Sequence, residues 1–162
     1  MFGLRNALAL FVGAPAPDLG LLGRGKEWCV LALLYAAARS DADTLAPEEE
    51  VTLAALAMRT PTLFKLSPEL YNTYLADYRE LLRGRNSVSA LVEAACASLP
   101  RQDGLAEAIF AQCADMVMAD REVVSLEDEF LRDLATELRL SGSKTREIMQ
   151  VMRWKNELRE AG

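Results

Sequence analysis

The sequence predicts an all-α bundle of seven or eight helices. Apolar residues recur at three- and four-residue intervals along most of the chain, and no segment shows sustained strand alternation or a hairpin turn signal. Prolines and capping hydroxyls then divide that periodic pattern into pieces of ordinary helix length. With 162 residues, 51% hydrophobic and 26% charged, the chain is long and apolar enough for one compact domain with a buried core.

The elements follow in order. A first helix is expected over Phe2–Val12, stopped by the Gly-Ala-Pro-Ala-Pro stretch 13–17, where both prolines lack a donor and restrict their predecessors. A connection marked by Gly20, Gly23 and Gly25 leads to a helix over about 26–39, apolar almost all round and therefore central. Pro47 at a first helical position opens a helix to about Arg59. Thr60-Pro61 and Ser67-Pro68-Glu69 read as two further starts, the second opening a helix with Leu70, Tyr74, Tyr78, Leu81 and Leu82 that ends at Gly84. Helices over about 87–99 and 104–119 come next, and Ser125 caps another bearing Phe130, Leu134 and Leu138. The last, about 143–158, places Ile148, Val151, Met152 and Leu158 inward. The domain divides into an N-terminal helix and connection, 1–24, and a core, 26–158.

Composition excludes several roles. A net charge of −6 is the wrong sign for gripping phosphate backbones, so nucleic acid is not an expected partner. Cys29, Cys96 and Cys113 are odd in number and far apart, there is no histidine to complete a zinc site, and three buried reduced thiols are expected. Ala7–Ala14 with Arg5 before it loosely imitates a secretion signal, but an amphipathic first helix accounts for it as well. The longest apolar run, Trp28–Ala38, falls short of the roughly 18 residues that mark a membrane span. A cytoplasmic protein without a transmembrane segment is expected. Lacking histidine and any GxxxxGK[ST] or GxGxxG run, the chain offers no nucleophilic or phosphate-cradling constellation, so a non-enzymatic role is expected.

One element occurs twice. Asp41 and Asp120, Asp43 and Glu122, and Glu50 and Glu129 are all separated by 79 positions. In each copy a helix of small and apolar residues runs into an acid, a second acid lies two positions on, and a third lies nine after the first. The acids at the helix starts (Glu48, Glu49 and Glu50; Glu127, Asp128 and Glu129) suit the positive end of the helix dipole, worth about 0.3–1 kcal/mol each. Ser125 with Asp128 also reads as a capping box. Asp41, Asp43, Asp120 and Glu122 gain nothing of the kind, because they come after helix C-termini. Such a cluster is either solvated or holds a hard divalent cation (Ca²⁺, Mg²⁺ or Mn²⁺) or a basic partner, with Asp41, Asp43, Glu50, Asp120, Glu122 and Glu129 as candidate ligands. The loops are not EF-hands: the sixth and twelfth positions are Ala46 and Thr52 in one and Ser125 and Leu131 in the other.

The run Met118-Ala119-Asp120-Arg121-Glu122-Val123-Val124-Ser125-Leu126-Glu127-Asp128-Glu129-Phe130-Leu131 resembles the signature of the tellurite-resistance TerB family, and Ser40–Val51 resembles a weaker first copy. The resemblance spans residues 26–158. It implies a pseudo-repeated helical domain without enzymatic activity, metal-binding acidic loops at Asp41, Glu50, Asp120 and Glu129, a role in stress responses to tellurite, and a TerC-like membrane protein as partner. Two departures stand out. Ala42 and Arg121 replace the glycine usual after each Asp, Arg121 bringing its own counter-charge, and each loop is about one residue longer than the family's. A helical interaction module without a metal, engaging partners through an apolar groove, is the alternative. The C-terminal helix has a basic side (Lys144, Arg146, Arg153, Lys155), read as solvated in view of Glu147, Glu157 and Glu160.

Overall fold

The computed structural model describes residues 25–40, 44–83, 87–119 and 125–160, and these form an all-helical bundle. In chain order the helices are α1 (Lys26–Ala38), α2 (Pro47–Arg59), α3 (Pro68–Arg83), α4 (Val88–Ser98), α5 (Leu105–Met118), α6 (Ser125–Glu137) and α7 (Gly142–Glu160). The expected helix over Phe2–Val12, the signal-like run and the loop acids Asp41, Asp43, Asp120 and Glu122 lie outside the described residues, as do the side chains of Ser125 and Leu158. No helix among the described residues is long and apolar enough to cross a membrane.

α1 is the axis of the bundle because it has no polar side to present to water. Every residue from Trp28 to Ala38 is buried, and the helix packs against α2, α3, α4 and α5. The expected tyrosine helix supplies its anchor: the Tyr78 hydroxyl of α3 donates to the Trp28 carbonyl oxygen at 2.6 Å in the interior. Its ring meets Trp28 edge-on at 5.0 Å and Tyr35 at 5.3 Å, a geometry suited to the ring quadrupoles. Tyr71 and Tyr74 are half-buried on the same helix, in keeping with their spacing.

Start and stop signals place most boundaries within a residue or two. Ser67 accepts the Leu70 N–H at 3.1 Å, Ser87 accepts that of Ala90 at 3.2 Å, and Ser141 accepts that of Lys144 at 3.1 Å. Thr60-Pro61 behaves differently from expectation. It forms a single turn, the Thr60 carbonyl accepting from the Leu63 and Phe64 N–H groups, and no helix. Pro68 comes too soon for a helix to develop, since the residue before a proline is pushed to extended backbone.

Two left-handed residues mark the flanks of α5 and α6. Gly104 precedes α5 at φ 77°, a conformation natural to glycine. α6 closes with the Leu140 N–H on the Ala135 carbonyl at 2.9 Å and the Arg139 N–H on that of Thr136 at 3.0 Å. Arg139 takes the left-handed position at φ 58°, where glycine is the usual residue.

α7 packs on α5 through Ile148, Met149 and Met152. Val151 does not point inward as expected. It is 52% exposed beside Trp154 at 57%, because one residue is a 100° step from Met152 and turns it off the buried face. The basic side is partly consumed: Lys155 reaches the buried Asp115 of α5 at 2.6 Å, and Lys144 pairs with Glu147 at 2.8 Å. Asn156 donates to the Met152 carbonyl at 2.8 Å, which pins the helix end near Met118.

Candidate functional site

Two of the helix-start acids of the first copy, Glu49 and Glu50, are occupied. Glu49 accepts the Ala46 N–H at 2.6 Å, closing the first turn of α2 over Pro47. Glu50 pairs with Arg79 of α3 at 3.3 Å, both side chains about half exposed. The adjacent Tyr71 phenol is pushed above its ordinary range by burial first and by the Glu50 carboxylate second, with Arg79 opposing. Glu50 is therefore engaged with a cation of its own chain.

The second copy is arranged otherwise. Glu127 is buried, and Asp128 pairs with Arg132 one turn on at 2.6 Å. Glu129 begins a row: Glu129, Asp133 and Glu137 recur at four-residue spacing down one face of α6, and Glu129 itself is exposed. That row walls a groove of about 460 Å³ whose other side is α4. Val88, Val92 and Phe130 make the groove apolar at its base, and Glu93 of α4 faces Glu137 across it.

Among the described residues the charge in this groove has no compensating cation. Among the described residues no ion pair joins Glu93, Glu129, Asp133 or Glu137 to a cation, and none of those lining this stretch is basic. The Glu93 carboxyl is raised above the ordinary range by burial, and then by the Glu137 carboxylate. Like charges held over an apolar floor are unfavourable in the free protein and become favourable when a cation arrives.

Ser40 lines the same groove. It is the first residue of the Ser40–Val51 element, so one described residue of each copy, Ser40 and Glu129, lines this groove, while Glu50 pairs with Arg79. No group of three or more Cys, Asp or Glu side chains among the described residues is gathered as a metal-ligand set.

The cysteines do no chemistry of their own accord. Burial, with Glu27 second, pushes Cys29 up to about 11, and burial, with Glu137 second, pushes Cys96 up to about 12. Cys113, fully enclosed, is raised by burial and then by Cys96. None of the three is in a disulfide, and burial makes each a weak nucleophile.

Sequence reading missed Glu93, Asp133 and Glu137. The four-residue spacing of Glu129, Asp133 and Glu137 was visible, but Glu93 joins them only through the packing of α4 against α6. Asp115 was also missed, and its position in the apolar run of α5 was the available signal. No family model, curated protein or solved structure matches the chain.

Proposed function

We propose that this chain is a non-enzymatic interaction module of the TerB-like kind that grips a cationic segment of a partner protein in the groove between α4 and α6. One observation carries the reading: Glu93, Glu129, Asp133 and Glu137 surround an apolar floor, and no cation among the described residues pairs with them. A basic side chain entering there gains from several carboxylates at once, while its apolar stem lies on Val88, Val92 and Phe130. Phosphate backbones are repelled by the same field, which disfavours nucleic acid as the partner.

A second reading concerns a hard divalent cation (Ca²⁺, Mg²⁺ or Mn²⁺). It rests on hard oxygen groups, the Ser40 hydroxyl and the Glu129 and Asp133 carboxylates, lining one groove. The TerB-like resemblance supports a setting for either reading: a cytoplasmic response to tellurite and other toxic agents, with a TerC-like membrane protein as the candidate partner.

Calorimetric titration separates the two. A lysine-rich peptide and each divalent ion are titrated into the wild type and into Glu129→Gln/Asp133→Asn/Glu137→Gln. The proposal expects peptide binding that the triple variant loses. Peptide binding that survives in the triple variant refutes it, and ion binding lost in that variant favours the cation.

A further inference from the structure

The groove does not end at Glu137. Glu93, Thr136 and Glu137 also line a second hollow of about 460 Å³, so the two cavities adjoin across these residues along the seam between α4 and α6. Past Glu137 the floor is Cys96, Leu99, Leu105 and Leu138, and the rim carries Arg101 and Arg139. Neither arginine is joined to a carboxylate by an ion pair among the described residues. The floor is thus apolar on both sides of Glu93 and Glu137, with Glu129 and Asp133 toward one end and Arg101 and Arg139 toward the other.

Its long axis is set by two rows. Val88, Val92, Cys96 and Leu99 step down α4 one turn at a time. Glu129, Asp133 and Glu137 descend α6 beside them, with Arg139 just past its end, a run of about 15 Å at helical rise. Helix-turn spacing on both walls suits an occupant whose own apolar side chains project every three or four residues. An extended peptide finds no strand edge here to pair with, since both walls are helices.

We infer that the partner presents a single amphipathic helix with segregated charge: cations over Glu129 and Asp133, an apolar seam over Val92 and Cys96, and carboxylates over Arg101 and Arg139. This rests on the interaction-module reading and adds to it the partner's secondary structure and charge polarity. Opposite charges at the two ends fix the orientation, because a helix docked the other way meets like charge at both. Arg139 is held in place by the backbone bonds that close α6, so its side chain starts from a fixed point at the mouth.

The test compares three synthetic amphipathic peptides of about four helical turns by fluorescence anisotropy against the full chain. One has lysines in one half and glutamates in the other, one has the same residues interleaved, and one is uniformly cationic. The inference expects the polarised peptide to bind about tenfold tighter than the interleaved one, a modest share of what buried charge pairs contribute. Arg101→Glu/Arg139→Glu should erase that preference and leave the uniformly cationic peptide bound at least as well. The wild-type comparison needs no variant, and circular dichroism reports whether the double variant keeps its helices. Equal binding of polarised and interleaved peptides overturns the inference while cationic binding still supports the broader reading. Failure of all three peptides overturns both.

Discussion

The two acidic elements share a spacing and have opposite fates. At the start of α2 the chain satisfies its own acids: Glu49 takes the Ala46 N–H and Glu50 takes Arg79. Along α6, Glu129, Asp133 and Glu137 are left facing Glu93, with no cation among the described residues paired to them. A repeat in sequence is therefore not a repeat in chemistry. What decides is the neighbouring helix, since α3 brings an arginine to the first copy and α4 brings a further glutamate to the second. The first element reads as structure, and the second is the one we propose for recognition.

The largest effect that separates them is on binding. Glu129→Gln/Asp133→Asn/Glu137→Gln should weaken a lysine-rich amphipathic peptide about 100-fold, or ~2.7 kcal/mol, whereas Glu48→Gln/Glu49→Gln/Glu50→Gln should leave affinity within about twofold. Comparable losses in both variants, read by titration calorimetry, would erase the contrast. Stability should respond the opposite way. Glu49→Ala removes a capping acceptor and should lower unfolding stability by about 1 kcal/mol in urea melts, while Glu129→Ala stays within about 0.5 kcal/mol of wild type. A smaller change is expected from Arg79→Ala, about 0.3–0.5 kcal/mol, because its pair with Glu50 is half exposed.

The smallest expected effect depends on pH. Folding raises the Glu93 carboxyl, so the folded state favours its protonated form. That contribution is fully present below the unfolded value and is lost as pH rises through the raised folded value. Glu93→Gln should flatten this limb and be more stable than wild type at neutral pH by about 0.3 kcal/mol, the scale of a like-charge pair. Thermal melts across the carboxylate range check it. An unchanged pH profile would mean that neither burial nor Glu137 raises the Glu93 carboxyl.

Much of the fold was legible in local chemistry. The unbroken apolar run Trp28–Ala38 marked the central helix, and Pro47 and Ser67-Pro68 marked helix starts that the backbone respects. Thr60-Pro61 misled because Pro68, seven residues on, decides what that segment can become. Val151 misled because a seam only two or three residues wide leaves no margin for a 100° error. The groove was half legible. Glu129 stood out through the repeat, but its partners are set by which helices meet, and Glu93 lies 36 positions away with no pattern linking the two. Arg101 and Arg139 sit at helix ends, where sequence shows a boundary and not what faces it.

The most direct test is backbone NMR of the ¹⁵N-labelled chain titrated with the charge-polarised amphipathic peptide. Perturbed resonances should gather on α4 from Val88 to Leu99 and on α6 from Glu129 to Arg139, with α2 and the Phe64–Leu70 surface unmoved. Shifts centred instead on Val51, Met58 and Phe64, or on Trp154 of α7, with α6 silent, would contradict the assignment of the groove as the recognition surface.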